Sequence, residues 1–134
     1  MEDRLHRFVG AFAEGLVDLE VALFYEANPS MCDTAAGVAL RMYREVDQVE
    51  PSLRRLAAAG LLIESVLGGG RYRLYGLTDD VAVLVLLVEL SRAYHYDAEA
   101  RREIIRSLVS RGHEAGQPSP GAAATPPSPS ATPN

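Results

Sequence analysis

The chain has 134 residues, of which 48% are hydrophobic, and its formal net charge is -5. This length suits one compact domain with a modest core. Cys32 is the only cysteine, which excludes an intrachain disulfide. No apolar run approaches the roughly 20 residues that span a bilayer, and the first residues lack the basic and apolar regions of a secretory signal. We therefore expect a soluble cytoplasmic protein without membrane contact.

The charge is unevenly distributed along the chain. Residues 1–33 hold two arginines against seven acidic residues, whereas residues 34–73 hold six arginines against four acidic residues. All 13 cationic side chains are arginine. The basic excess therefore lies in the middle of the chain, although it is small for a domain that depends on phosphate attraction.

The first segment has helical periodicity. Its apolar residues recur at steps of three and four, the period of one helical face, and they are Leu5, Phe8, Val9, Phe12, Leu16, Leu19 and Leu23. We expect one helix, or two abutting helices, over roughly residues 3 to 27. Glycine is unfavourable inside a helix, so a break is expected near Gly15. Pro29 ends the segment, because the residue before proline is driven out of the helical region.

Two short helices are predicted next. Asp33 or Thr34 can cap a helix that runs to about residue 43, since a short side-chain oxygen accepts a bond from an unpaired amide. The spacing of Asp47 and Glu50 resembles a capping box, so the following helix is expected to start between these two residues. Gly60 is expected to end it. The buried face of this second helix is predicted from its spacing to be Val49, Leu53 and Leu56.

A glycine-tipped hairpin follows. Residues 61 to 66 and 71 to 75 are predicted as two strands joined through Leu67 and three consecutive glycines. Alternation on the second strand places Arg71, Arg73 and Tyr75 on one face and Tyr72 and Leu74 on the other, in a pattern that a half-exposed strand requires.

Two further helices are predicted after the hairpin. Thr78 is a candidate cap for a helix whose body, residues 81 to 88, is apolar on every side. A buried strand would also fit that run, but residues 89 to 94 extend it in helical form. Asp97 is expected to cap a final helix that ends near residues 111–112. Residues 115 to 134 contain six of the eight prolines and no large apolar residue, so we expect a disordered tail.

The middle of the chain resembles the winged helix-turn-helix domains of small prokaryotic transcriptional regulators of the MarR-like and ArsR-like kind. Three segments carry the resemblance: DTAAGVA at residues 33 to 39, the apolar stripe and GLL ending at residues 49 to 62, and GRYRL at residues 70 to 74. The implied fold class is mainly α with a small β-hairpin wing (α+β), a winged helix-turn-helix with extra N- and C-terminal helices. The domain is expected to span residues 1–114, with the helix-turn-helix and wing at about 16–77.

The resemblance implies binding of double-stranded DNA by a homodimeric transcriptional regulator. In such families the third helix enters the major groove and the wing touches the backbone. The candidate DNA-binding residues are then Arg44, Gln48, Ser52, Arg54, Arg55, Arg71 and Arg73. Glu64 on the neighbouring strand is a competing partner for the wing arginines. Pro51 and Ala58, which face outward on the third helix, cannot read base edges with their side chains.

The alternative function, which ranks second, is a winged helix that binds a protein partner and no DNA. The two differ in charge distribution. A continuous positive band over Arg44, Arg54, Arg55, Arg71 and Arg73 favours DNA, and a band broken by acidic residues at the start of the third helix favours a protein.

The helix over residues 81 to 90 also predicts association between copies. A helix that is apolar all round needs cover on all sides, and a small domain has few surfaces to provide it. A buried central helix within a monomer is the competing interpretation. The candidate dimer-interface residues are Leu84, Val85, Leu87 and Val88.

No pattern indicates catalysis or a cofactor. There is no nucleophile–base pair, no paired-carboxylate site and no phosphate loop, so an enzyme is not expected. Cys32 lacks the thiol companion that metal-sensing ArsR-type repressors use, and is expected to be half-buried. His95 lies near Asp97 and Glu99, which is a weak metal pattern. We predict no metal site.

Overall fold

The structure, a computed structural model, describes residues 2–116, with side chains described to residue 111. It confirms a mainly α fold with a small three-stranded antiparallel sheet. The elements in chain order are α1 (Asp3–Phe12), α2 (Leu16–Ala27), β1 (Cys32–Asp33), α3 (Ala35–Met42), α4 (Val46–Ala58), β2 (Leu62–Leu67), β3 (Tyr72–Leu77), α5 (Val81–Tyr96) and α6 (Ala98–Gly116).

The N-terminal segment forms two helices, as the glycine at its centre predicts. α1 ends at Phe12, and Gly15 adopts extended backbone immediately before α2. Leu5, Val9 and Phe12 form the buried face of α1. The break allows the two helices to pack at an angle instead of continuing as one rod, and α2 supplies one wall of the helix-turn-helix core.

α3 begins with the predicted cap. The Thr34 hydroxyl accepts a hydrogen bond from the Gly37 amide at 3.2 Å. The Asp33 carboxylate lies over the same turn, so close that a Cβ on Gly37 would sit 2.2 Å from its Oδ2. A side chain at position 37 would therefore require the Asp33 carboxylate to move. α3 ends at Tyr43, whose φ of 57° lies in the left-handed region that bulky residues rarely adopt.

α4 begins one residue before the predicted range, which corrects the proposed capping pair. The Gln48 side-chain oxygen accepts a hydrogen bond from the Glu45 amide at 3.4 Å, so Glu45 and Gln48 frame the first turn in place of Asp47 and Glu50. Pro51 consequently lies inside the helix. Gly60, at φ 86°, ends the helix as predicted, because its left-handed backbone lets the Leu61 amide bond back to the Leu56 carbonyl at 2.9 Å.

The core lies where α2, α3 and α4 meet. Val49, Leu53 and Leu56 on α4 are fully buried, as the stripe predicts, and they join a larger set of buried residues from α1, α2, α5 and α6. The chain therefore has one continuous apolar cluster among its described residues, and α4 is held on its inner side by that cluster.

The sheet has the strand order β1-β3-β2, with both pairings antiparallel. β1 was not predicted, because two residues have no measurable alternation. The predicted hairpin is confirmed, although each strand begins one residue later and ends later than predicted, so that Leu67 belongs to β2 and not to the connection: Leu62 pairs with Leu77 and Leu67 with Tyr72. The three glycines form a short 3-10 turn at the tip.

The C-terminal helices pack against each other and onto α2, and α5 also packs onto α1. Asp80, and not Thr78, caps α5, since its carboxylate accepts from the Ala82 amide at 3.0 Å while the Thr78 hydroxyl accepts from the Asp80 amide. Asp97 caps α6 as predicted. α6 continues to Gly116, past its predicted end near residues 111–112 and into the first two residues assigned to the tail. The predicted disorder of residues 117–134 falls outside the described residues.

Candidate nucleic-acid interface

The outward side of α4 and one face of the wing enclose a shallow groove, here called the α4–wing groove. It is lined by Arg54, Ala57, Ala58, Glu64 and Arg73. A second depression on the other side of Arg73 reaches the wing tip and is bordered by Glu50, Arg71 and Tyr72. Three of the predicted DNA-binding arginines, Arg54, Arg71 and Arg73, are therefore brought to one side of the molecule.

The strand register determines which wing residues face the groove. Glu64 lies opposite Tyr75, and Val66 lies opposite Arg73, so these four side chains share the inner face of the wing. Arg73 donates to Glu64 Oε2 at 3.0 Å, and the Tyr75 hydroxyl donates to the same oxygen at 3.0 Å. Glu64 is thus the cross-strand partner that competes with phosphate for Arg73.

A buried tyrosine anchors the base of the wing to α2. The Tyr25 hydroxyl donates to the Tyr75 carbonyl at 2.6 Å, and burial strongly raises the pKa of this hydroxyl. Burial, followed by the hydrogen bond to Glu64, also raises the pKa of Tyr75. The hydrogen bond from Arg73, followed by that from Tyr75, lowers the pKa of Glu64, which therefore carries a full negative charge in the groove at neutral pH.

Arg54 and Arg73 are exposed, and each forms a surface ion pair. Arg54 contacts Glu50 at 3.2 Å, one helical turn away, and the two arginine side chains remain 65% and 55% exposed. Exposed pairs of this kind contribute about 0 to 1 kcal/mol each. Such a pair is weak enough for a phosphate to replace the carboxylate.

Ser52 and Arg55 are removed from the DNA-binding set. Ser52 is completely buried, and its hydroxyl donates to Asp18 on α2. Arg55 donates to both carboxylate oxygens of Asp18, at 3.0 and 2.8 Å. Asp18 is 0% exposed and also accepts from the Glu14 amide at 2.8 Å. This Asp18 clamp joins α2 to α4, so Ser52 cannot reach a base and Arg55 already has a bidentate partner.

Asp18 was missed at the sequence level, although its spacing carries the necessary information. It precedes Val21, Ala22 and Tyr25 by three, four and seven residues, and all three are buried on α2. A carboxylate on the apolar face of a helix needs a cation and hydrogen-bond donors from a neighbouring element. The arginines on the outward side of α4 can supply both the cation and the hydrogen-bond donors.

The remaining predicted DNA-binding residues behave differently from one another. The Arg44 Nε donates to the Glu20 carboxylate on α2 at 2.7 Å, so this side chain points toward α2 and not into the groove. Gln48 is exposed but is engaged at the start of α4. Arg71 at the wing tip is exposed and takes part in no ion pair with the residues that the structure describes.

The turn between α3 and α4 is apolar at its surface. Leu40 is 77% exposed, Tyr43 is 95% exposed and Val46 is 41% exposed. These three side chains are here called the helix-turn-helix tip. Glu45 and Asp47, both exposed, flank them. The positive band predicted for a DNA reader is therefore interrupted at the start of α4 by acidic and apolar residues.

The predicted dimer-interface residues divide into two groups. Leu87 is 1% exposed and packs in the core of its own chain, so its assignment to the interface is wrong. Leu84 is half-buried. Val85 and Val88 are exposed, and Val81 extends the same stripe one turn toward the N-terminus of α5. α5 therefore packs one face, with Leu87 and Leu90, into the core of its own chain and leaves a row of valines exposed.

The other side chains considered at the sequence level form no site. Cys32 is exposed and not half-buried, since β1 lies at the edge of the sheet. His95 Nδ1 lies 3.1 Å from the Ser91 carbonyl, which fixes the ring against its own helix. Among the described residues, no group of three His, Cys, Asp or Glu could hold a metal ion. Within residues 2–116, no helix combines the length and apolar character needed to cross a bilayer.

Comparisons of this chain with protein-family models, with curated proteins and with solved structures gave no match.

Proposed function

We propose that the chain is a cytoplasmic, homodimeric winged-helix regulator that binds double-stranded DNA through phosphate contacts at the α4–wing groove. The observation that carries this proposal is the placement of three exposed arginines, Arg54, Arg71 and Arg73, on one side of the fold, where the ion pairs of Arg54 and Arg73 are weak. Phosphate contacts position a protein on DNA without reading its sequence.

The groove suits backbone contact better than base readout. The outward side chains of α4 beside the arginines are Pro51, Ala57 and Ala58, which offer no hydrogen-bonding groups to base edges. The acidic start of α4 would oppose deep insertion into a groove lined by phosphates. Sequence preference is therefore expected to be weak, with affinity governed by charge.

Salt dependence of binding to a random duplex tests the proposal. Three arginine–phosphate contacts predict a slope of about -2.7 for log affinity against log salt concentration. Substitution of Arg71 and Arg73 together by alanine should flatten the slope to about -0.9. Arg102→Ala, an exposed arginine on α6, is the matched control and should leave the slope unchanged. Equal slopes for wild type and the Arg71/Arg73 variant would refute the proposal.

A protein partner is the second candidate function, and the helix-turn-helix tip is the observation that favours it. Exposed Leu40 and Tyr43 project beside the exposed acidic residues Glu45 and Asp47, which suits an apolar cleft with a basic rim. A photo-crosslinking residue at position 43, compared with one at position 102, would test it in the native cells. A partner that crosslinks only from position 43, and whose purified form binds Tyr43→Ser more weakly, would support this function.

A further inference from the structure

β2 has an unprotected free edge. It is the outermost strand of the sheet, and β3 is its only neighbour among the described strands. Its six residues pair with β3 without a bulge, and they include no proline and no lysine. Proteins usually protect such an edge with a charge, a proline or a bulge, because its free backbone groups can otherwise pair with another strand. The single charge, Glu64, faces the groove and is bound by Arg73.

The outer face of the wing, opposite to the groove, is apolar. Alternation and register place Ile63 and Leu67 of β2 on this face with Tyr72 and Leu74 of β3. Ile63 is 45% exposed, and Leu67 and Tyr72 are 52% and 53% exposed. The free edge is therefore flanked by side chains that gain from cross-strand packing.

We infer that β2 pairs antiparallel with β2 of a second copy of this chain, across a two-fold axis that passes between the two Ser65 residues. Such an axis, perpendicular to the sheet, keeps each sheet face on the same side. Directly opposed residues then lie on the same face of the sheet. Because side chains alternate between faces along a strand, the numbers of two opposed residues must be equal or differ by an even number. Only a few registers satisfy this condition.

Charge and length select one of these registers. An axis at Glu64 would oppose two carboxylates, which is destabilising. An axis at Val66 would pair only residues 65–67 and leave half of each strand unpaired. An axis at Ser65 pairs residues 63–67 of both strands and sets Ile63 against Leu67 of the other copy, twice. This self-complementarity is why a second copy, and not an unrelated strand, is the occupant.

The pairing extends the proposed function without depending on it. Glu64, Arg73 and the groove lie on the inner face, so the two grooves of a paired dimer face the same side of one continuous sheet. The α5 valines are not involved. DNA binding by each copy and pairing of the wings can therefore fail separately.

Sedimentation of the full chain tests the inference through a charge-swap series. Ile63→Lys/Leu67→Lys places two lysine pairs across the axis and should raise the dissociation constant about tenfold or more. Ile63→Lys/Leu67→Glu recreates two opposite-charge pairs, and association should return. The two positions lie on one strand, several residues apart, so the rescue cannot arise within a single copy.

Three controls make the result decisive. Circular dichroism must show both variants folded, as expected for exposed positions. The Ile63→Lys/Leu67→Glu variant, whose net charge equals that of the wild type, should bind a short random duplex at low protein concentration with the wild-type affinity. Val85→Glu/Val88→Glu on α5 is the matched surface variant, and it should leave the dissociation constant of the dimer unchanged. A monomeric wild type, an unchanged dissociation constant in the double-lysine variant, or no recovery in the lysine–glutamate variant would each overturn the wing pairing.

Discussion

Breaking the Asp18 clamp should lower the free energy of unfolding, and the size of the loss should depend on which partner is removed. Arg55→Ala leaves a carboxylate that is 0% exposed without its cation. Removing one partner of a buried pair typically costs about 3 to 5 kcal/mol. Because Arg55 is itself 38% exposed, water reaches the truncated site, and we expect the lower end, about 3 kcal/mol.

The opposite substitution should cost less. In Asp18→Ala the Arg55 side chain, already partly exposed, can extend into water. The loss is then that of the hydrogen bonds to the Ser52 hydroxyl and the Glu14 amide, about 2 kcal/mol. In Asp18→Leu/Arg55→Met neither charge remains, and burial of the new apolar side chains offsets the lost hydrogen bonds. The free energy of unfolding of this double variant should therefore lie within about 1 kcal/mol of the wild-type value.

Urea unfolding of the four proteins, followed by circular dichroism, measures these differences directly. DNA binding provides a second readout, because the Asp18→Leu/Arg55→Met variant should retain the affinity and salt slope of the wild type. A cost below about 0.5 kcal/mol for Arg55→Ala would be that of an ordinary surface substitution. In that case Arg55 is a free surface cation, and its removal from the DNA-binding set is mistaken.

Three further predictions concern the wing and α3. Arg73→Ala should raise the pKa of Glu64 toward its usual range, as followed by the carboxyl carbon resonance in a pH titration, whereas Arg102→Ala should not. Because burial raises the pKa of Tyr25 in the folded protein, this tyrosine ionises first in the unfolded chain, and the free energy of unfolding should fall as the pH rises above about 10. Tyr25→Phe should weaken this fall, as measured by urea unfolding. Gly37→Ala should destabilise by about 1 kcal/mol and become neutral or stabilising in an Asp33→Ser background, which removes the clash; equal effects in both backgrounds would contradict it.

The sequence predicts those parts of the fold in which periodicity and capping agree. The α4 stripe, the Gly60 stop, the hairpin and the Asp97 cap are local patterns, and each is confirmed. β1 could not be found, because a two-residue strand is defined only by its partner. The start of α4 was misplaced because the pairs Glu45–Gln48 and Asp47–Glu50 both have the spacing of a capping box, and only the geometry of the turn selects between them.

The candidate site was less predictable than the fold, for a physical reason. Helical spacing shows which side chains point away from the core of their own helix, but it does not show which neighbouring element receives them. Arg55 and Ser52 point away from the α4 stripe and toward α2, where Asp18 binds both. Glu64 was the one competing partner that could be named in advance, since cross-strand neighbours follow from hairpin register.

α1 is held in place by residues from the far end of the chain. Arg111 on α6 donates to the Gly10 carbonyl at 3.1 Å, across 101 positions of sequence, and Arg4 forms an ion pair with Glu89 on α5. Contacts of such separation form late, because a long loop must close first. During synthesis the helix-turn-helix and wing can therefore assemble while α1 is still undocked. The apolar face of α1, the first part of the domain to emerge, is among the last to be covered.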